Sequence, residues 1–261
     1  MNKKPELPNI PFHMVTESPW PLLMSLTTMN TLINVVMMFY AQKNLFLISM
    51  LTMITCLIMW FRDIVRESLF QGTHTKTVQN GLKLGMIMFI ASEVFLFLSL
   101  FWMLMNSSYL PSAEVGMNWP PRLISPFNPI GVPLLNTVIL LTSGFFITWS
   151  HHALMSKNLW ASSSSLALTI LCGNMFMTIQ AIEYLSAPFS MSDSSYGSAF
   201  FLITGFHGMH VMIGGVFLSV TLKRMAKSHF SSKHHFNFEA AAWYWHFVDV
   251  VWIMVFILLY F

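Results

Sequence analysis

Long apolar runs, separated by shorter polar stretches, dominate the chain. A helix that crosses a membrane needs about 20 predominantly apolar residues. Seven segments meet that requirement, near 19–40, 45–61, 81–105, 130–150, 159–186, 195–222 and 236–260. The polar stretches between them differ in character. Residues 62–80, RDIVRESLFQGTHTKTVQN, form the longest charged stretch and set two spans apart from five. Residues 106–129 are Pro-rich and predict an ordered but irregular loop. The pattern predicts an all-α membrane protein divided into residues 1–70, a tail with a two-helix hairpin, and residues 71–261, a five-helix bundle.

Composition supports lipid as the solvent. Only 9% of residues are charged and 55% are hydrophobic, whereas a soluble domain carries about 25% charged residues. So few charges cannot cover a water-facing surface. The net charge of +3 is small, and no basic cluster with interleaved aromatics points to nucleic acid. Cys56 and Cys172 fall in separate apolar segments and read as small buried hydrophobes. The N-terminal MNKKPELPNIPFHM lacks both the apolar core of a secretory signal and an Arg-rich transit pattern. The expectation is a mature chain that starts near Met1 and, if organellar, was made inside the organelle.

Basic residues orient the spans. Lys3, Lys4, Arg62, Arg66, Lys76, Lys83, Lys157, Lys223, Arg224, Lys227 and Lys233 fall on the side of the N-terminus, and Lys43 and Arg122 on the other. An odd number of spans gives this separation. It places the N-terminus on the side of synthesis and the C-terminus across the membrane. Trp60, Trp102, Trp119, Trp149 and Trp160 lie near span ends, as an aromatic belt requires.

Ionisable residues inside spans are costly and each poses a functional question. Glu93 sits mid-span in GMIMFIASEVFLFLSLF, with Phe89, Ile90, Leu96 and Phe97 as its helical neighbours. It needs a proton or a partner from outside its helix. Two readings stand side by side: a neutral acid hydrogen-bonded between helices, and a group with a proton- or lipid-related role. Gly81, Gly85, Ser92 and Ser99 beside it suggest a tight packing stripe. His207 and His210, three apart on one face, could ligate metal or haem. No further ligands match their depth, and Gly205, Gly208, Gly214 and Gly215 favour interhelical hydrogen bonding at close contact. In FEAAAWYWHFVDVVW, residues 238–252, Glu239, His246 and Asp249 share a face that reads as a fixed polar network more than a proton relay. Gln180 and Glu183 are its candidate cross-helix partners. His151, His152, His234 and His235 fall at span ends on the basic side and read as interfacial polar residues. No nucleophile elbow, phosphate loop or CxxC pattern occurs, and spacing assigns no catalytic residue and no metal site.

Seven blocks together carry a resemblance. They are SPWPLL at 18–23, WFRDIVRESLFQGTHT at 60–75, GLKLGMIMFIASEVFLF at 81–97, VPLLNT at 132–137, ITWSHHAL at 147–154, YGSAFFLITGFHGMHVMIGG at 196–215 and HHFNFEAAAWYWHFVDVVW at 234–252. In this order, along nearly the whole length, they resemble the subunit III family of cytochrome c oxidase. The resemblance implies seven helices in a two-plus-five arrangement around a V-shaped, lipid-holding cleft. It implies that Glu93 is the carbodiimide-reactive carboxylate facing that cleft, and that Trp60, Arg66 and His74 lie near bound phospholipid. Phe61 stands where relatives often carry a second Trp.

The family further implies no haem or copper in this chain. The haems and copper belong to subunit I, on which the chain packs directly, and subunit II and accessory subunits complete the complex. The expected role is that of a non-redox core subunit in the mitochondrial inner membrane, with its N-terminus in the matrix. It would stabilise the catalytic subunit, bind structural phospholipids and sustain proton uptake while the complex couples oxygen reduction to proton pumping. Subunit III of a quinol oxidase and a stand-alone seven-helix transporter are the alternatives.

Overall fold

The computed structural model describes residues 11–40, 45–111, 116–122, 124–232 and 234–261. These residues fold into seven α-helices with no strand among them: α1 (Trp20–Tyr40), α2 (Phe46–Arg66), α3 (Lys76–Tyr109), α4 (Val132–Met155), α5 (Leu159–Ser186), α6 (Ser195–Ala226) and α7 (Phe236–Tyr260). All seven are long and apolar enough to cross a membrane. The all-α membrane fold read from the apolar runs is the fold observed. Of the basic residues used to orient it, Lys3, Lys4, Lys43 and Lys233 lie outside the described residues.

Several helices outrun their apolar segments. α2 continues past position 61 to Arg66 and ends in a π-helical turn, Glu67–Gln71. α3 begins at Lys76 and α6 runs through Lys223 and Arg224 to Ala226. An apolar window measures only the length that fits in hydrocarbon. A helix satisfies its own backbone hydrogen bonds and so continues into the interface until something stops it. Here Gly72 stops the π turn. Its φ of +63° is left-handed, and its N–H bonds back to the Glu67 carbonyl. Much of the charged stretch expected as a loop is therefore helix.

The chain divides into two compact units, Met1–Leu82 and Lys83–Phe261. In the first, α1 and α2 form an antiparallel hairpin. The Trp20 indole N–H, at the start of α1, donates to Asp63 Oδ2 near the end of α2 at 2.7 Å. Thr31, Asn34, Ser49 and Cys56 are its small buried residues, while most of its large apolar side chains face outward. Lipid is as apolar as leucine, so outward leucines cost nothing in a membrane and close packing falls to small residues.

In the second unit α7 is the most deeply buried helix, with α4 and α6 beside it and α5 against α4 and α6. Tryptophan ring planes and glycines set the spacing. The Trp245 indole of α7 lies between Gly173 of α5 and Gly214 of α6. A Cβ at Gly173 would come within 2.7 Å of the ring, and one at Gly214 within 3.0 Å. Its N–H donates to Ser143 Oγ of α4 at 2.8 Å. Seven residues along, the Trp252 N–H donates to Thr137 Oγ1 at 3.1 Å, and its ring meets Phe176 edge-on at 4.7 Å. Buried indole N–H groups need such acceptors. Ser150 and Ser162 exchange hydrogen bonds with each other's carbonyls, at 2.7 and 2.9 Å, and so join α4 to α5.

The polar ends are capped by short-range bonds. Asn158 accepts the Ala161 N–H at the start of α5, and Ser194 accepts the Gly197 N–H at the start of α6. Between those helices Asp193 accepts the Ser190 N–H at 2.7 Å, which holds its carboxyl below the ordinary range. Among its described residues, the segment between α3 and α4 is irregular, as expected, although α3 takes its first residues through Tyr109. Trp119 packs edge-on to Tyr196 at 5.6 Å and Phe127 against Phe200 at 5.6 Å.

Candidate functional site

Glu93 finds its partner on another helix. His210 of α6 places Nε2 2.8 Å from Glu93 Oε2. The other ring nitrogen, Nδ1, lies 2.7 Å from the Phe206 carbonyl one turn back. A carbonyl only accepts, so Nδ1 carries a hydrogen and Nε2 is left to deal with the carboxyl. The pair holds one exchangeable proton, on Oε2 as acid with imidazole or on Nε2 as imidazolium with carboxylate. The His210 side chain is 6% exposed and that of Glu93 22%. Phe97 meets the His210 ring edge-on at 5.0 Å and Tyr244 lies roughly parallel at 6.4 Å. The surroundings are apolar on most sides, so the shared proton is the main electrostatic choice the site can make.

His207, on the same face of α6, faces α7. Its Nε2 lies 3.3 Å from the Val248 carbonyl, and its ring packs between Phe176 and Trp252. The two histidines thus engage different neighbours, one on α3 and one on α7.

The acid–His–acid face of α7 separates into two places. Glu239 lies at the helix start, where Oε2 is 2.7 Å from Lys83 Nζ and Oε1 is 3.5 Å from His235 Nε2. Asp249 lies deep in the bundle over Gly144, where a Cβ would reach 2.8 Å from Oδ2. His246 Nδ1 is 3.8 Å from that oxygen, beyond hydrogen-bond length, and its side chain is 42% exposed. Gln180 and Glu183 bond elsewhere. Gln180 Oε1 accepts from Asn136 Nδ2 at 3.4 Å, and Glu183 Oε1 accepts from the Tyr260 hydroxyl at 2.7 Å.

Two further expectations meet different outcomes. The small residues of α3 do not make a packing seam within the described chain. A Cβ at Gly81 or Gly85 would meet nothing within 4 Å, and Ser92 and Ser99 bond to carbonyls of their own helix. Of the α6 glycines, Gly214 makes the close approach to Trp245 and Gly215 makes none. Spacing within one helix cannot distinguish a seam from a lipid-facing stripe.

In the first unit, Trp60 is half-buried on α2. Arg66 lies 3.7 Å from Asp63 with a side chain that is 62% exposed. His74 meets His13 edge-on at 6.4 Å. The residues that the sequence reading missed are the polar partners: Lys83 as an ion pair, and Asn136, Thr137, Ser143 and Tyr260 through hydrogen bonds. A partial signal existed, since Trp245 and Trp252 repeat on α7 much as Thr137 and Ser143 do on α4. Pairing them required knowing that α4 and α7 are neighbours.

Seven apolar helices with an interhelical carboxyl–imidazole pair and a polar core define a multi-span membrane protein. The family model described as cytochrome c oxidase subunit III matches residues 10–261. The chain is 53% identical over 254 residues to cytochrome c oxidase subunit 3 of Aedes aegypti, which covers 97% of each chain. It is 51% identical to that of Coturnix japonica over 95% of this chain and 96% of the relative, and 52% identical to that of Pongo abelii over the same shares. The chain belongs to the cytochrome c oxidase subunit III family. It is a membrane-spanning subunit of a cytochrome c oxidase complex, the assembly in which it works with other oxidase subunits.

Proposed function

We propose that the chain is a non-redox core subunit of the oxidase in the mitochondrial inner membrane. It packs directly on subunit I, which carries haem and copper, and neighbours subunit II and accessory subunits. It binds structural phospholipids and sustains proton uptake while the complex reduces oxygen to water and pumps protons. The N-terminus faces the matrix, in keeping with the basic residues gathered on that side. The observation that carries the reading is Glu93 bound to His210 in an apolar setting, in a chain of this family along residues 10–261. A carboxyl placed mid-membrane with a single proton-sharing partner suits a proton- or lipid-linked role and needs no redox centre.

Phospholipid headgroups suit the first unit. The Arg66 guanidinium is mostly exposed near the end of α2, and half-buried Trp60 lies on the same helix six residues earlier. Arginine binds phosphate through paired N–H donors, and indole sits well at headgroup depth. His74 is the third residue proposed at this lipid site.

The test is Glu93→Ala in the intact complex. Haem spectra are expected to be unchanged, with altered phospholipid content or earlier loss of activity during sustained turnover. Loss of a haem signal from an assembled complex would overturn the non-redox assignment. Arg66→Ala should lower bound phospholipid without changing the spectra.

A further inference from the structure

We propose that His151, His235 and Glu239 form a binding site for a divalent transition-metal ion of the zinc class. The site lies at the end of the second unit where α4 finishes and α7 begins. One ligand atom from each of the three residues falls within 4.8 Å of the others. His151 Nε2 is 3.2 Å from His235 Nε2, and His235 Nε2 is 3.5 Å from Glu239 Oε1. Ligands held about 2.1 Å from a tetrahedral ion stand about 3.4 Å apart, so these two spacings need only small adjustments, and the third, between His151 and Glu239, closes from no more than 4.8 Å. Two imidazoles and one carboxylate favour zinc, copper or nickel over calcium or magnesium, which take oxygen ligands. Three protein ligands leave a fourth position for water.

The surrounding bonds aim the ligands. His235 Nδ1 lies 3.0 Å from the Ser231 carbonyl, so Nδ1 carries the hydrogen and Nε2 presents its lone pair to the site. Glu239 bonds Lys83 Nζ through Oε2 at 2.7 Å, which leaves Oε1 toward His235. The Lys83 contact is an ion pair that holds the carboxylate in place from outside the ligand set. The Lys83 charge opposes a cation, and the Glu239 carboxylate beside it offsets that. The His151 ring lies roughly parallel to Phe238 at 5.4 Å, which limits its rotation. Without metal, His151 Nε2–H donates to His235 Nε2. Metal binding requires the His151 hydrogen to move to Nδ1, and the ion then replaces the N–H···N bond with no net proton release. His235 is buried, but Glu239 is 20% exposed and the site lies at helix ends, within reach of water.

The probe is zinc sulfate added to the purified, chelator-treated complex that contains the full chain. An anomalous difference map at the zinc edge should show a peak bonded to His151 Nε2, His235 Nε2 and Glu239 Oε1. Glu239→Gln should weaken zinc binding there by at least the roughly 10–100-fold that losing an outer-shell partner costs. Lys83→Met should change it less. The proposal is overturned if saturating zinc leaves no peak at these atoms, or if the peak and its affinity survive both Glu239→Gln and His151→Ala. Should a variant fail to assemble, the map of the unaltered complex decides alone.

Discussion

Helices α3 and α7 carry similar residues and have opposite surroundings. Both are strongly apolar and both hold carboxylates. Over its most apolar stretch α7 is 56% buried within the chain and α3 only 11%. Yet α3 has the most apolar stretch of the seven helices. In water the more apolar helix would go to the centre. In lipid it gains nothing by doing so, because hydrocarbon outside is as favourable as side chains inside. What takes α7 to the centre is its polar and aromatic hardware. Two indole N–H groups need acceptors, which Ser143 and Thr137 supply, and Trp245 needs a slot, which Gly173 and Gly214 open. α3 instead approaches through long side chains, with Glu93 on His210, Lys83 on Glu239 and Phe97 on Phe247.

Substitutions can break this contrast, and they differ in size. Trp245→Ala empties the slot at the centre of the bundle. It should cost about 3–5 kcal/mol, the range for buried aromatic truncations, and appear as poor assembly of the complex. Gly173→Ala places a methyl 2.7 Å from the Trp245 ring and should cost about 1–3 kcal/mol as overpacking. A thermal melt of the complex would measure it, and an unchanged midpoint would mean that the indole is not held there. Ser143→Ala removes the acceptor of the Trp245 N–H. About 1 kcal/mol is expected, since polar contacts between membrane helices are individually modest. Pairing Ser143→Ala with Trp245→Phe should show the two losses to be non-additive.

The smallest effect sharpens the contrast most. Gly85→Ala is the same chemical change as Gly173→Ala, made where a Cβ meets nothing within 4 Å. It should be neutral, or stabilising by up to about 1 kcal/mol through helix propensity. A loss of stability seen only in the assembled oxidase would place a helix of a neighbouring subunit against the small face of α3.

The spans, their number and their polar ends were legible in the residues because hydrocarbon imposes a length and a composition on anything that crosses it. Glu93 was legible as a residue in need of an outside partner, since its own helix offered only Phe89, Ile90, Leu96 and Phe97. His210 was not legible as that partner. It lies 117 residues away, and its spacing from His207 suggested that the two act together. Glu239 and Asp249 share a helical face by spacing, yet they are engaged at different depths by Lys83 of α3 and by the space over Gly144 of α4.

By itself, then, the sequence determined that this is a seven-span helical chain with a few ionisable groups that must be satisfied within the membrane. Its ordered blocks also carried the family. Only the tertiary structure decided which helix is central, which glycines are slots and which carboxyl meets which imidazole. The reason is physical. The membrane constrains each helix separately, through hydropathy and backbone hydrogen bonding that can be read along the chain. Helix partners are chosen by shape and by single hydrogen bonds between distant residues, and those leave little periodic trace in one sequence.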